Sequence, residues 1–426
     1  MTNSCKRLHS CWTVAGVLMA VLASWSCSRM HPSNYRFETQ PRNVLAEAGI
    51  PSAKDPKLAL SSSGAVHLLA VYGEEGQSQL GMGISHDGGD TIAPPVPISE
   101  KAAQVSSHGE NSPSLIVRPT EYYALWEQLA DHGGTNLMFA RSMTFGHSFE
   151  KPIRVTDKLQ PSFNGFSSLG VASNGDVYAV WLDARDGAQP PGTFAVYLAK
   201  SVDHGATFGR NLRVSLGACP CCRPVVTFGS SDEVHVAWRH VFPGDIRDMV
   251  ISTSYDNGAS FSPPVRVAVD NWRVAGCPHT GPAIAHNGNR LYLAWYTEGS
   301  DGKAGIKLAW SEDGARRFRP AVMASGKTLD ANHPALSAAA DGTVLLAFQA
   351  RDPVQKEGWS PLQAYLVEIT DTTRISDPIP IPRGQKAVSY PAVAAGSMGR
   401  VYIAWTEPDS KGNQIRLSRG RLRTSG

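Results

Sequence analysis

A surplus of charge of one sign is missing from this chain. Lys and Arg total 40 against 37 Asp and Glu, a net of +3 with the histidines neutral, and neither sign gathers into a tail. A nucleic-acid partner is excluded, because that needs a basic face or stripe. Helical periodicity is almost absent, which points away from helical and doubly wound folds. There is no phosphate-cradling glycine loop and no G-x-S-x-G elbow, so nucleotide-loop and α/β-hydrolase chemistry drop out. Beyond the first thirty residues no apolar run approaches the ~20 residues of a membrane helix. What remains is 42% hydrophobic and 18% charged, the balance of a folded globular protein.

The one apolar run stands at the start. Lys6, Arg7 and His9 precede Trp12 to Trp25, and small residues and Cys27 follow. A basic segment, a short apolar one and then small residues is a signal-peptide pattern. The expectation is a signal over residues 1–27 and one domain over 28–426, exported to the periplasm, the cell surface or the medium. Cys5 and Cys11 would leave with the signal. Cys27 stands where a bacterial lipoprotein carries its acylated cysteine, which would tether the domain to a membrane. Ordinary cleavage nearby and an uncleaved anchor are the alternatives.

Seven copies of one strand pattern run through the rest. They end at Val71, Trp126, Trp181, Trp238, Trp295, Phe348 and Trp405, so the period is about 56 residues. Each copy is rich in β-branched and aromatic residues and is bounded by Gly, Asn or Asp turns. A short strand often opened by proline comes before it, as at Pro113, Pro224, Pro282, Pro334 and Pro391. Two more strands follow. Four short antiparallel strands at this period predict an all-β propeller, seven-bladed, with six blades as the alternative. The register puts the five tryptophans in the core between blades. The last copy runs out after its third strand, so residues near Arg42–Ala46 are expected to supply the missing outer strand and close the sheet edge.

A turn motif sits between third and fourth strands. It reads Ser85-His-Asp87-Gly-Gly89-Asp-Thr91, with further copies at Ser201–Phe208 and Ser254–Phe261 and weaker ones at Ser142–Phe149 and Ser311–Phe318. Ser and Asp side chains bond to local backbone N–H groups, and Gly supplies positive φ. This motif at blade period resembles the Asp box of the bacterial neuraminidase repeat, and residues 36–422 are similar to the sialidase superfamily. The resemblance implies an extracytoplasmic propeller that handles glycans or other surface ligands. Sialidases, however, are six-bladed and carry a Phe-Arg-Ile-Pro motif that this sequence lacks. Their mechanism implies three arginines on a carboxylate, a tyrosine nucleophile with a glutamate base, and an aspartate acid. Tyr390, Glu110 and Asp183 are the candidates for the last three roles, by location alone.

Strand alternation puts the turn motifs on one rim. The other rim then gathers the loops entering each first strand and those joining second to third. There lie His108, Glu110, Arg223, His333 and Tyr390, and also Asp183, Arg185, Arg239 and Arg351. Arg185, Arg223, Arg239 and Arg351, with His108 and His333, are candidate contacts for a glycan or small anionic ligand; loop-bracing ion pairs are the plain alternative. The least ordinary segments are Cys219-Pro-Cys221-Cys222-Arg223 and Cys277-Pro-His279-Thr280, which open adjacent blades. Disulfides, for example from Cys277 to one of the others, are the structural reading. The competing reading is a soft-metal site of Cys221, Cys222 and Cys277 with His279, suited to copper(I) or zinc. Three functions therefore stand side by side: a sialidase-like glycan enzyme or binder, a metal- or redox-linked propeller, and a scaffold for a partner protein. A monomer is expected.

Overall fold

The computed structural model describes residues 35–422, apart from 74–75, 102, 131–132, 159–162, 301, 340, 354–359, 372–373, 382–385 and 411. The expected signal segment and Cys27 lie outside the described residues. Among the described residues the only α-helix is Val44–Glu47, with one 3-10 turn at Ser397–Gly399; every other element is a strand. None of these helices is long and apolar enough to cross a membrane.

The strands form antiparallel sets, each centred on one copy of the repeated pattern: Val66–Tyr72, Tyr122–Leu129, Val177–Asp183, Val234–Phe242, Arg290–Thr297, Val344–Arg351 and Arg400–Asp409. We number these sets one to seven. The third and fourth join into one eight-stranded sheet through the pair Ala218–His240. The central strands do not alternate apolar with polar residues. Val66–Val71 and Val177–Asp183 are buried at every position. Both faces of such a strand are covered, which calls for a continuous apolar run.

What covers them is the next set on either side. Trp238 packs with Val180 and Leu182 of the third set, while its neighbour Ala237 packs with Leu293 and Trp295 of the fifth. The same holds for the seventh set: Trp405 and Ile403 meet Leu345 and Ala347 of the sixth, and Tyr402 and Ala404 meet Leu68 and Ala70 of the first. The five tryptophans are fully buried, as the register requires. Each contributes on the order of 2–3 kcal/mol through its burial. The first strands also touch in succession, Ala53–Leu60 with Ser114–Val117 and so on to Ser389–Ala395, which touches Ala53–Leu60 again.

The turn motifs form as their chemistry dictates. Ser254 Oγ donates to Asp256 and accepts from the Gly258 N–H, while Asp256 accepts from the N–H and hydroxyl of Ser260. Matching bonds hold the turns at Ser85, Ser201 and Ser311. Hydrogen bonds from Ser201 and Thr207 hold the Asp203 carboxyl at about 2. Gly258 has φ +84°, and a Cβ there would lie 2.8 Å from the Tyr178 ring of the neighbouring set, so both backbone and packing select glycine.

The N-terminal pairing differs from expectation in its boundaries. The strand that pairs with Gly412–Leu422 is Tyr35–Phe37, opposite Leu422 to Gly420. Arg42 adds a single bridge to Leu417. Residues Val44–Glu47 turn into a helix instead, capped by Asn43 Oδ1, which accepts from the Ala46 N–H. Val44 and Leu45 are buried against Tyr402 and Leu417, so their side chains go into the core rather than along a ladder.

Candidate functional site

Six of the seven first strands have, inside or just before them, a residue followed by proline: Asp55, Ser112, Arg223, Gly281, His333 and Tyr390. In the third set Phe166-Ser167 takes that place. Proline brings no N–H to the ladder, which favours a bulge, and in three of the six one forms. Pairing slips at Lys54/Lys57, Gly165/Ser168, Asn332/Ala335 and Ser389/Ala392. Asp55, Phe166, His333 and Tyr390 take φ of 54°, 54°, 51° and 50°, which re-aims their side chains out of the sheet.

These side chains meet where the first strands converge. His333 Nδ1 donates to Glu110 Oε1 over 2.9 Å, and the Gly281 N–H donates to Glu110 Oε2 over 3.0 Å. Arg223 donates to Ser112 Oγ at 3.1 Å. Asp55 accepts from Ser107 Oγ at 2.6 Å and from the Gly109 N–H. The Tyr390 ring lies 4.3 Å from the His333 ring, centroid to centroid. It also rests on Gly109, where a Cβ would come within 2.0 Å of the ring. Only glycine fits under that tyrosine. The groups come from six sets, and the bonds that join them run between sets.

Their charges are strongly coupled. Burial alone would raise the Glu110 carboxyl, but the His333 hydrogen bond, Arg223 and the Gly281 N–H outweigh it and bring it down to about 2. Burial and Arg223 pull the Lys57 ammonium down to about 7, against Asp55 and Glu110, which raise it. Burial, with Glu110 and Asp55, pushes the Tyr390 hydroxyl up to about 12. An acceptor-only carboxylate on Nδ1 holds a proton on that nitrogen of His333.

Glu127, below the hub, behaves in the opposite way. Burial raises its carboxyl well above the ordinary value, although Asn111 Nδ2 donates to one oxygen. The other oxygen has no partner. A raised carboxyl costs nothing below its unfolded pKa and costs more as pH climbs toward the folded one. Glu127→Gln keeps the acceptor for Asn111, so at pH 7 it is expected to stabilise the fold by about 1–2 kcal/mol. Urea midpoints at pH 7 and pH 4 check this: the gain should shrink at pH 4, and a destabilised variant at pH 7 would contradict it.

The structure brings Glu110, Arg223, His333 and Tyr390 together, and places the other candidates elsewhere. Asp183 is fully buried inside the third set, where it accepts from the Trp181 indole N–H at 2.8 Å and from Arg185. Arg185 also pairs with Asp157 and lies over the Tyr197 ring. Arg239 is buried and donates to the carbonyls of Arg247, Thr280 and Tyr296. Arg351 pairs with Asp330 and donates to the Ser360 carbonyl. The arginines therefore do not converge. His108 is exposed and lines a cavity of about 670 Å³ between the first and second sets. Sequence reasoning passed over Asp55, Lys57 and Ser112. Their signal was present, because each lies at or within two residues of the residue-before-proline position. The Asp183 brace also had one: Trp181 and Asp183 share a strand face, as do Trp405 and Glu407, whose indole N–H and carboxylate bond likewise.

The cysteines form a cluster of their own. Cys219 and Cys222 sulfurs lie 3.4 Å apart, Cys219 and Cys221 3.7 Å, and Cys221 and Cys222 4.0 Å. A disulfide needs about 2.05 Å, so the expected bridges are not formed: the four cysteines among the described residues are free thiols. Cys219 to Cys222 are buried and Cys277 is exposed. Arg247 Nη1 donates to Cys219 Sγ at 3.0 Å. The neighbouring thiols, with the Arg239 and Arg247 guanidiniums, hold the Cys219 thiol well below its ordinary value. A second group, Cys221, Cys277 and His279, has its donor atoms within 4.8 Å of one another. Cys219 and Arg247 were not among the metal-site candidates from sequence.

No protein-family model matches the chain, and no curated protein matches it. Solved structures match its fold. A protein of unknown function from Dyadobacter fermentans DSM 18053 is 14% identical, with 75% of this chain and 98% of that one covered and a TM-score of 0.53. A polysaccharide lyase of family PL25, an ulvan lyase bound to -[GlcA(1-4)Rha3S]-, is 11% identical over 75% of this chain and 82% of that one, with a TM-score of 0.53. The Trypanosoma rangeli sialidase, in complex with 2,3-difluorosialic acid, is 14% identical over 88% of this chain and 54% of that one, with a TM-score of 0.50. This chain thus spans about half of the sialidase's length. At such identities the likeness establishes a sialidase-like propeller fold and leaves the activity open.

Proposed function

We propose that the protein is an exported, seven-bladed propeller, closed by the pairing of Tyr35–Phe37 with the C-terminal strand, that binds an acidic glycan at its hub. The observation that carries the reading is the constellation of Lys57, Glu110, Arg223, His333 and Tyr390 from five different strand sets. Arg223 offers a guanidinium to a carboxylate or sulfate, and Lys57 adds an ammonium when protonated. Tyr390 and His333 offer rings to a sugar face, and His333 Nε2, oriented by Glu110, offers an acid–base group. Two structures that share the fold hold acidic sugars, a sialic acid derivative and a glucuronate-containing chain. Sialidase-type hydrolysis is not part of this reading, because Arg185, Arg239 and Arg351 are each committed to a different set of protein partners.

The test is an array of acidic and neutral glycans, followed by calorimetry on the best binder. Acidic glycans should bind. Arg223→Ala should weaken binding roughly 10-fold to 100-fold, the value of a charged hydrogen bond. If no acidic glycan binds across a broad array, the reading fails.

A further inference from the structure

We propose that Cys219, Cys221, Cys222, Cys277 and His279 form a copper(I) site, entered through Cys221, Cys277 and His279 and retained by Cys219, Cys221 and Cys222. The proposal is independent of the glycan reading. The first argument is geometric. A metal about 2.3 Å from three sulfurs in a plane sets them about 4.0 Å apart. The three buried sulfurs stand 3.4, 3.7 and 4.0 Å apart. They are held by a tight turn, with Cys219 N–H on the Arg239 carbonyl at 2.8 Å.

The second argument is charge. Each coordinating thiol gives its proton to solvent, so three thiolates and one Cu(I) carry a net −2. Arg247 donates directly to Cys219 Sγ, and Arg239 is its electrostatic neighbour. Two guanidiniums balance that charge in a place walled by Phe166, Phe194 and Val241. A divalent zinc would leave a surplus and would lack a fourth donor in the buried set. Soft thiolates in a dry pocket favour copper(I).

The third argument is access. The buried trio shares Cys221 with Cys277 and His279, both of which are exposed. A cation can thus exchange donors one at a time from the surface inward, never losing Cys221.

The reduced full-length protein is titrated anaerobically with copper(I) supplied from its bathocuproine disulfonate complex. Ultraviolet thiolate-to-copper absorbance reports binding and competition gives affinity. One copper per chain is expected in the retained set. Cys221→Ser should lower affinity at least about 100-fold, and Arg247→Gln about 10-fold, as for a group that orients a ligand. Cys277→Ser, at an exposed position that folding does not need, should slow loading severalfold and leave equilibrium affinity nearly unchanged. Failure of the reduced wild type to bind copper(I) overturns the proposal, as does undiminished affinity in a folded Cys221→Ser variant. Stoichiometric zinc(II) that copper(I) does not displace also overturns it. Equal losses of affinity in Cys277→Ser and Cys221→Ser would overturn the division into entry and retention.

Discussion

Glu110→Ala should lower the stability of the fold at pH 7 by about 3 kcal/mol and abolish glycan binding at the hub. The magnitude follows from the carboxyl lying at about 2 instead of its ordinary 4.5, at ~1.36 kcal/mol per unit. The carboxylate is buried and holds together the sixth set, through His333, and the fifth, through the Gly281 N–H. Removing it leaves a buried N–H without an acceptor and an imidazole without its orienting partner. It also removes one of the anions that favour the charged form of Lys57. The pH dependence has a definite sign. A depressed carboxyl stabilises fully above its unfolded pKa of about 4.5 and loses that contribution as pH falls toward 2. The gap between wild type and Glu110→Gln in urea midpoint should therefore narrow steadily from pH 5 to pH 2. A gap that stays constant over that range would mean that Glu110 is not ionised in the folded protein.

Arg239→Ala should cost on the order of 3–5 kcal/mol, with glycan affinity of the folded protein unchanged. The guanidinium satisfies carbonyls on three segments, at Arg247, Thr280 and Tyr296, and lies over the Trp272 ring at 4.8 Å. Alanine leaves buried carbonyls unpaired and opens a cavity between the fourth and fifth sets. The contrast with Arg223→Ala is diagnostic, since that change should affect binding far more than folding. Chemical denaturation and calorimetry on both variants separate the roles. An Arg239→Ala protein within 1 kcal/mol of wild type would show that the brace is dispensable.

The two arginines look alike in the sequence, and both lie at the same expected rim. Arg239 follows Trp238 on a buried central strand, whereas Arg223 precedes a proline at the opening of a first strand. That positional difference was readable once the residue-before-proline register was known, and it sorts Asp55, His333 and Tyr390 with Arg223. The cysteine cluster was legible in part. Two adjacent loop openings bring Cys219–Cys222 near Cys277, as their spacing at blade period suggests, but not as a disulfide. The depth of Cys219, and the Arg247 that caps it from the neighbouring strand, depended on how one hairpin packs beneath another.

By itself, the sequence determined the architecture: a period near 56 residues, a continuously apolar strand in each copy, and local Ser/Asp/Gly turns. These are short-range patterns whose physics is complete within one repeat, so they can be read from one repeat. Only the tertiary structure decided which polar residues share a site. The strand register runs within a set, but the hub forms across sets: Glu110 reaches His333 over 223 residues of chain and Gly281 over 171. The bulges that re-aim Asp55, His333 and Tyr390 form locally at the prolines that follow them, but these side chains share a site only because the first strands meet. Burial then set the charges apart, because the same carboxylic acid is held low where His333 and Arg223 surround it, at Glu110, and pushed up where they do not, at Glu127.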